Sequence, residues 1–166
     1  EVVSFTGGEK VGKLIAERAG YKKLVLELGG NSPLIILEDA DLDLAVNLAA
    51  EGCFRNSGQR CTAVKRLLVH EQILEEFTAR FVEEAAKYNY GDPSDPDTRV
   101  GTVIDEEAAI YLENVVKDAV AAGARVLLGG ERDGALIAPT VLADVPRDAD
   151  IVVKESFGPL APILRI

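Results

Sequence analysis

Asn56-Ser57-Gly58-Gln59-Arg60-Cys61-Thr62-Ala63 is a small, polar, glycine-bearing run set between an apolar helix pattern ending near Arg55 and a β-branched strand pattern, Val64 to Val69. Together these read as helix, turn and strand. Upstream, Asp39 to Asp43 place acidic side chains at a helix entry, where the helix dipole favours them, and an apolar strand runs from Leu34 to Leu37. Strand, helix and strand in succession form a βαβ unit. The alternation extends outward in both directions. Val2-Val3-Ser4-Phe5 is strand-like, Thr6-Gly7-Gly8 turns into a helix with apolar residues at Val11, Leu14, Ile15 and Ala19, and Lys23 to Leu28 returns as a strand. Downstream come a helix from Ile73 to Lys87, a second from Asp105 to Ala122 ended by Gly123, a short strand from Arg125 to Leu128 and a strand-rich tail from Pro139 to Ile166. The pattern predicts an α/β fold with a largely parallel sheet. Gly29-Gly30-Asn31-Ser32-Pro33 breaks the chain where a domain boundary is expected.

Bulk composition narrows the function classes. Of 166 residues 48% are hydrophobic and no apolar stretch is long enough to span a bilayer, so the chain reads as a globular domain or parts of two. A net charge of −10 repels phosphate backbones, which argues against nucleic-acid and anionic-membrane partners. Cys53 and Cys61 show no CxxC spacing and no second pair, so neither a zinc site nor a disulfide framework is expected, and a reducing cytoplasm fits best. Asp92 to Asp97, interrupted by Pro93 and Pro96, reads as a solvated loop and lacks EF-hand spacing. His70, the only histidine, ends a strand and reads as a capping or surface residue.

Two residues carry candidate chemistry on residue type and setting. Cys61 sits on a polar loop beside the Arg60 guanidinium, a setting that favours thiolate; the loop alone leaves a structural cysteine open. A free thiol with a pKa of about 8.5 needs roughly 2 kcal/mol of differential stabilisation to reach about 7. Cys53, inside the apolar helix pattern, reads as a small core residue. Glu27 lies in Leu24-Val25-Leu26-Glu27-Leu28-Gly29-Gly30, where poor solvation is expected to raise a carboxylate toward the range of a general base, although a solvent-facing or lysine-paired strand residue fits the local pattern as well.

Thr6-Gly7-Gly8, Glu27-Leu28-Gly29-Gly30, Gly58-Gln59-Arg60-Cys61 and Glu155-Ser156-Phe157-Gly158-Pro159, in that order, resemble the motifs of the aldehyde dehydrogenase superfamily. The resemblance covers essentially the whole chain and implies a piece of a longer protein: residues 1–28 as the end of a Rossmann-like cofactor domain, residues 29–166 as most of the catalytic domain. It implies NAD(P)-dependent oxidation of an aldehyde to a carboxylic acid. Cys61 would be the nucleophile that forms a thiohemiacetal and then a thioester, and Glu27 the base that activates water to hydrolyse it. Gly7, Gly8 and Gly12 would lie on the turn facing the pyrophosphate of NAD or NADP, where many relatives carry serine in place of Gly8. Glu155 and Phe157 would contact the nicotinamide ribose and ring.

Arg60-Cys61-Thr62-Ala63-Val64-Lys65-Arg66 looks most like members acting on small anionic aldehydes such as phosphonoacetaldehyde, with Arg60 on the anion. The family also implies a homo-oligomer for the full-length protein. Two alternatives stand beside this reading. One is an acylating enzyme in which coenzyme A takes the thioester, which would leave Glu27 without a task. The other is an isolated, non-catalytic piece of such an enzyme.

Overall fold

A computed structural model describes residues 1–166, which divide into two compact units, Glu1–Gly30 and Asn31–Ile166. In the first, β1 (Val2–Thr6) and β2 (Lys23–Glu27) pair in parallel, Val2 opposite Lys23 and Thr6 opposite Glu27, with α1 (Glu9–Arg18) as the crossover. Gly8 is the extended N-cap of α1, and Gly20, at φ +60, follows its C-terminal end in the left-handed conformation glycine takes there. Two strands cover only part of the helix's apolar face: Ala19 is buried, Ile15 half-buried, Val11 and Leu14 exposed.

The second unit is a five-stranded sheet between two helical layers. Its elements are β3 (Ser32–Ile36), α2 (Leu42–Phe54), a 3-10 turn (Arg55–Gly58), β4 (Val64–Val69), α3 (Leu74–Ala85), α4 (Glu106–Ala121), β5 (Arg125–Leu128), the hairpin strands β6 (Arg132–Asp133) and β7 (Leu136–Ile137), β8 (Thr140–Ala143), α5 (Asp150–Val153) and β9 (Leu160–Arg165). The strand order is β3-β4-β9-β8-β5, parallel throughout except for β5, which runs antiparallel to β8 at the edge. Asp41 and Asp105 cap α2 and α4, accepting from the N–H of Leu44 and Ala108 at 3.1 and 2.8 Å.

On one face, Val46, Ala50, Cys53 and Phe54 of α2 and Phe77 and Phe81 of α3 pack on Leu67, Val69, Ala161 and Ile163. Phe81 stacks with both Phe54 and Phe77, centroids 6.0 and 5.6 Å apart, and each fully buried ring contributes about 2 kcal/mol. On the other face, Leu112, Val115 and Val116 of α4 and Ile151 of α5 cover Leu142, Leu160 and Leu164. Central β9 is thus buried on both sides, as the interior strand of a parallel sheet is. The sequence pattern predicts neither the small hairpin nor α5, both too short for periodicity to register. No helix is long and apolar enough to cross a membrane. The acidic loop closes on itself, with Ser94 and Asp97 N–H groups bonded to Asp92 and Asp95 Oδ1 at 2.8 and 2.9 Å.

Candidate active site

Helix α2 ends by delivering the chain into a turn that an ordinary sequence avoids. Asn56, Ser57 and Gly58 have φ of 54°, 54° and 66°, three left-handed residues in a row. The cost, about 1–2 kcal/mol, falls chiefly on Ser57, since asparagine and glycine enter this region readily, and the surroundings of the turn over-determine it. Gln59 N–H donates to Asn56 O at 3.0 Å, Asn56 Nδ2 to Gln59 O at 3.2 Å, and Ser57 Oγ to Gly101 O at 3.0 Å. Arg60 Nη2 donates to Glu51 O and Gly52 O at 3.1 and 3.0 Å, placing its positive charge on the carbonyls of the last turn of α2, where the dipole is negative. Its Nε is buried without a partner. From this scaffold Cys61 emerges exposed, with a free thiol, before β4 begins.

Cys53 shows the contrast. It is fully buried in α2, and burial pushes its thiol up to about 12 despite the pull of Lys65 and Arg60. It is a core residue.

A second strained turn meets the first. In Glu155-Ser156-Phe157-Gly158-Pro159, Phe157 is exposed at φ 48°, Ser156 is buried and Glu155 is half-buried. The turns approach so closely that a Cβ on Gly58 would lie 2.2 Å from Gly158 O, which is why position 58 is glycine. Between them sits Lys65, only 2% exposed, whose Nζ donates to Gly58 O at 2.5 Å and Gly158 O at 3.0 Å. The second unit therefore brings the Cys61 loop together with the turn bearing Glu155 and Phe157. Sequence reading passed over Lys65. The available signal was its register: Ala63, Lys65, Leu67 and Val69 share the buried face of the strand, and an ammonium in that series is out of place.

The first unit holds Gly7, Gly8, Gly12 and Glu27. Gly7 N–H is taken by Glu27 O at 3.0 Å and Gly12 N–H by Gly8 O at 3.1 Å. Gly12 is also buried, and a Cβ there would lie 2.5 Å from the Leu28 side chain, so packing accounts for this glycine. By helix geometry the N–H groups without intrahelical partners at the start of α1 run from Gly8 through Val11. Beyond its own chain neighbours nothing lies within 4 Å of the point where a Cβ on Gly8 would stand, leaving an open approach to a helix N-terminus, which suits an anion. Glu27 ends β2 and is exposed. The poor solvation expected for it is absent from this unit, because alternate residues of β2, Lys23, Val25 and Glu27, face outward.

Comparison with known proteins identifies the lineage. The family model described as "Aldehyde dehydrogenase family" matches residues 1–166. The sulfoacetaldehyde dehydrogenase of Neptuniibacter caesariensis is 44% identical over 163 residues, covering 98% of this chain and 36% of the relative. The lactaldehyde dehydrogenase of Methanocaldococcus jannaschii is 47% identical over 164 residues, covering 99% and 35%. Among solved structures, the glyceraldehyde-3-phosphate dehydrogenase GapN of Methanocaldococcus jannaschii, complexed with NADP, superposes with a TM-score of 0.97 at 46% identity, covering 100% of this chain and 36% of that one. The chain thus spans about a third of the length of the relatives it matches. With its α/β architecture, its exposed thiol loop and a family match from first residue to last, the chain belongs to the aldehyde dehydrogenase family.

Proposed function

We propose that the full-length protein containing this chain is a cytoplasmic, homo-oligomeric NAD(P)-dependent aldehyde dehydrogenase that oxidises a small aldehyde to its carboxylic acid. The observation that carries this reading is the single exposed thiol, Cys61, mounted on a loop held in left-handed conformation by Ser57, Arg60 and Lys65. Strain maintained at that energetic cost belongs to a working site more than to a connecting turn. The thiolate of Cys61 adds to the aldehyde carbonyl carbon and forms a thiohemiacetal. Bound NAD or NADP supplies the hydride acceptor that leaves this adduct a thioester. Glu27 then takes a proton from water, the hydroxide attacks the thioester carbonyl, and the acid departs as the thiol is restored. The open N–H groups at Gly8 to Val11 suit the dinucleotide's pyrophosphate, and Glu155 and Phe157 its nicotinamide side.

The relatives named for sulfoacetaldehyde and lactaldehyde support a small substrate, the first of them anionic. We assign anion recognition to Arg60; since Nη2 is tied to the end of α2 and Nε is buried, the contact falls to Nη1. The test is initial-rate measurement on the purified full-length protein with NAD and with NADP, using sulfoacetaldehyde and lactaldehyde as substrates. Cys61→Ala is expected to abolish turnover and Cys53→Ala to retain it. Turnover surviving in folded Cys61→Ala would remove the nucleophile assignment.

A further inference from the structure

Lys65 stands on the buried face of β4, where Leu67 and Val69 share its face of the strand. An ammonium taken out of water costs several kcal/mol unless hydrogen bonds compensate, so its presence calls for a role beyond filling space. Its two partners are specific. Gly58 O closes the run of left-handed residues before Cys61, and Gly158 O follows the left-handed Phe157. Gly158 O also accepts the N–H of Leu160 at 2.9 Å, so that carbonyl is fully engaged. Without a cation between them, two carbonyl dipoles would converge on one buried point. The titratable groups near Lys65 are the Cys53 thiol and Glu155, which favour its charge, and Arg60, which opposes it.

We propose that Lys65 is a positioning residue of the thiol site: its ammonium clamps the loop carrying Cys61 to the turn carrying Glu155 and Phe157, so that nucleophile and nicotinamide-side residues keep one fixed register. This rests on the reading of Cys61 as nucleophile and deepens it. The clamp binds backbone carbonyls, so it sets where the Cys61 loop and the Phe157 turn stand without touching substrate. Small displacements of a reacting group are felt steeply in rate, on the order of 100-fold for about 1 Å.

The experiment uses the full-length protein with three variants. Cys61→Ala tests the underlying reading by itself. Lys65→Met keeps the stem and removes the donors; Lys65→Gln, neutral and one bond shorter, spans one carbonyl at most. For each folded variant, kcat, KM for aldehyde and dinucleotide, Tm and the iodoacetamide rate at Cys61 across pH are measured. With Cys61→Ala inactive, Lys65→Met is expected to lose at least about tenfold in kcat and to alter the pH profile of Cys61 alkylation, with Lys65→Gln intermediate. A kcat and an alkylation profile within about twofold of wild type in either folded variant, whatever its Tm, would reduce Lys65 to a packing residue.

Hydrogen exchange in the wild-type protein provides a measure independent of variant folding. The bonded amides of Gln59 and Leu160 are expected to show protection within about tenfold of each other, and widely separate values would break the clamp. If instead Cys61→Ala remains active, the nucleophile reading fails, while the exchange result still reports on the clamp.

Discussion

Cys53 and Cys61 lie close in sequence and differ in everything that governs a thiol. Burial holds Cys53 at about 12, so its thiolate is negligible near neutrality, whereas Cys61 stands exposed on its loop. Iodoacetamide near neutral pH is therefore expected to label Cys61 and spare Cys53 in the folded protein, as peptide mass mapping reads; equal labelling would contradict the burial that separates them. Lys65 makes a second residue-scale prediction, this time on stability. Desolvation lowers its pKa from 10.5 to about 8. Below about 8 it is charged in both states and the folded form bears the whole desolvation penalty. Between about 8 and 10.5 the unfolded chain binds more protons, so stability rises with pH, by at most about 3 kcal/mol in total. Wild type should thus gain on Lys65→Met between about pH 7.5 and about pH 10 in urea unfolding, and a pH-independent difference would mean the ammonium is not desolvated as the structure has it. The sequence singles out Cys61 because residue type, polar setting and neighbours agree. It passes over Lys65 because a lysine in a strand ordinarily faces water, and Glu27 is exposed in this unit because Leu24 and Leu26 take the other face of β2.

At the scale of elements, what was legible followed local rules. Alternation marked β4 from Val64 to Val69, and aspartates at the starts of α2 and α4 marked two helix entries. The 3-10 turn was not legible in the same way, since Ser57 adopts positive φ under tertiary restraint and only Asn56 and Gly58 are residue types that enter that region readily. That turn is also where an element's geometry is least forgiving. Gly58→Ala would impose both a left-handed alanine and a Cβ at 2.2 Å from Gly158 O, a backbone atom with no rotamer to yield. The expected destabilisation exceeds about 2 kcal/mol and is accompanied by loss of selective Cys61 labelling. A folded Gly58→Ala of unchanged Tm would show that the two turns are not in the contact described. The antiparallel direction of β5 was likewise hidden, because a four-residue strand carries no local mark of its partner's direction.

Across the whole chain, alternating strands and helices were enough for an α/β fold with a mostly parallel sheet, but not for the order β3-β4-β9-β8-β5. Inserting β9 between β4 and β8 is decided by long-range burial, its Leu160 to Leu164 being covered from both layers, and no local window contains that information. The division of labour in the proposed reaction is also a property of the whole molecule, because Cys61 and Glu27 belong to different units. Their tasks fall in different halves of the cycle, and that makes them separable by experiment. Glu27→Gln should leave attack and hydride loss intact while removing the base that activates water, a contribution of about 100-fold to 10,000-fold. Mixing the full-length variant with aldehyde and dinucleotide should then give one rapid equivalent of reduced cofactor followed by slow turnover, and intact-mass measurement should find the acyl group on Cys61. If the rapid phase vanishes with the slow one, Glu27 acts before the thioester forms, and the assignment of Glu27 to deacylation alone fails.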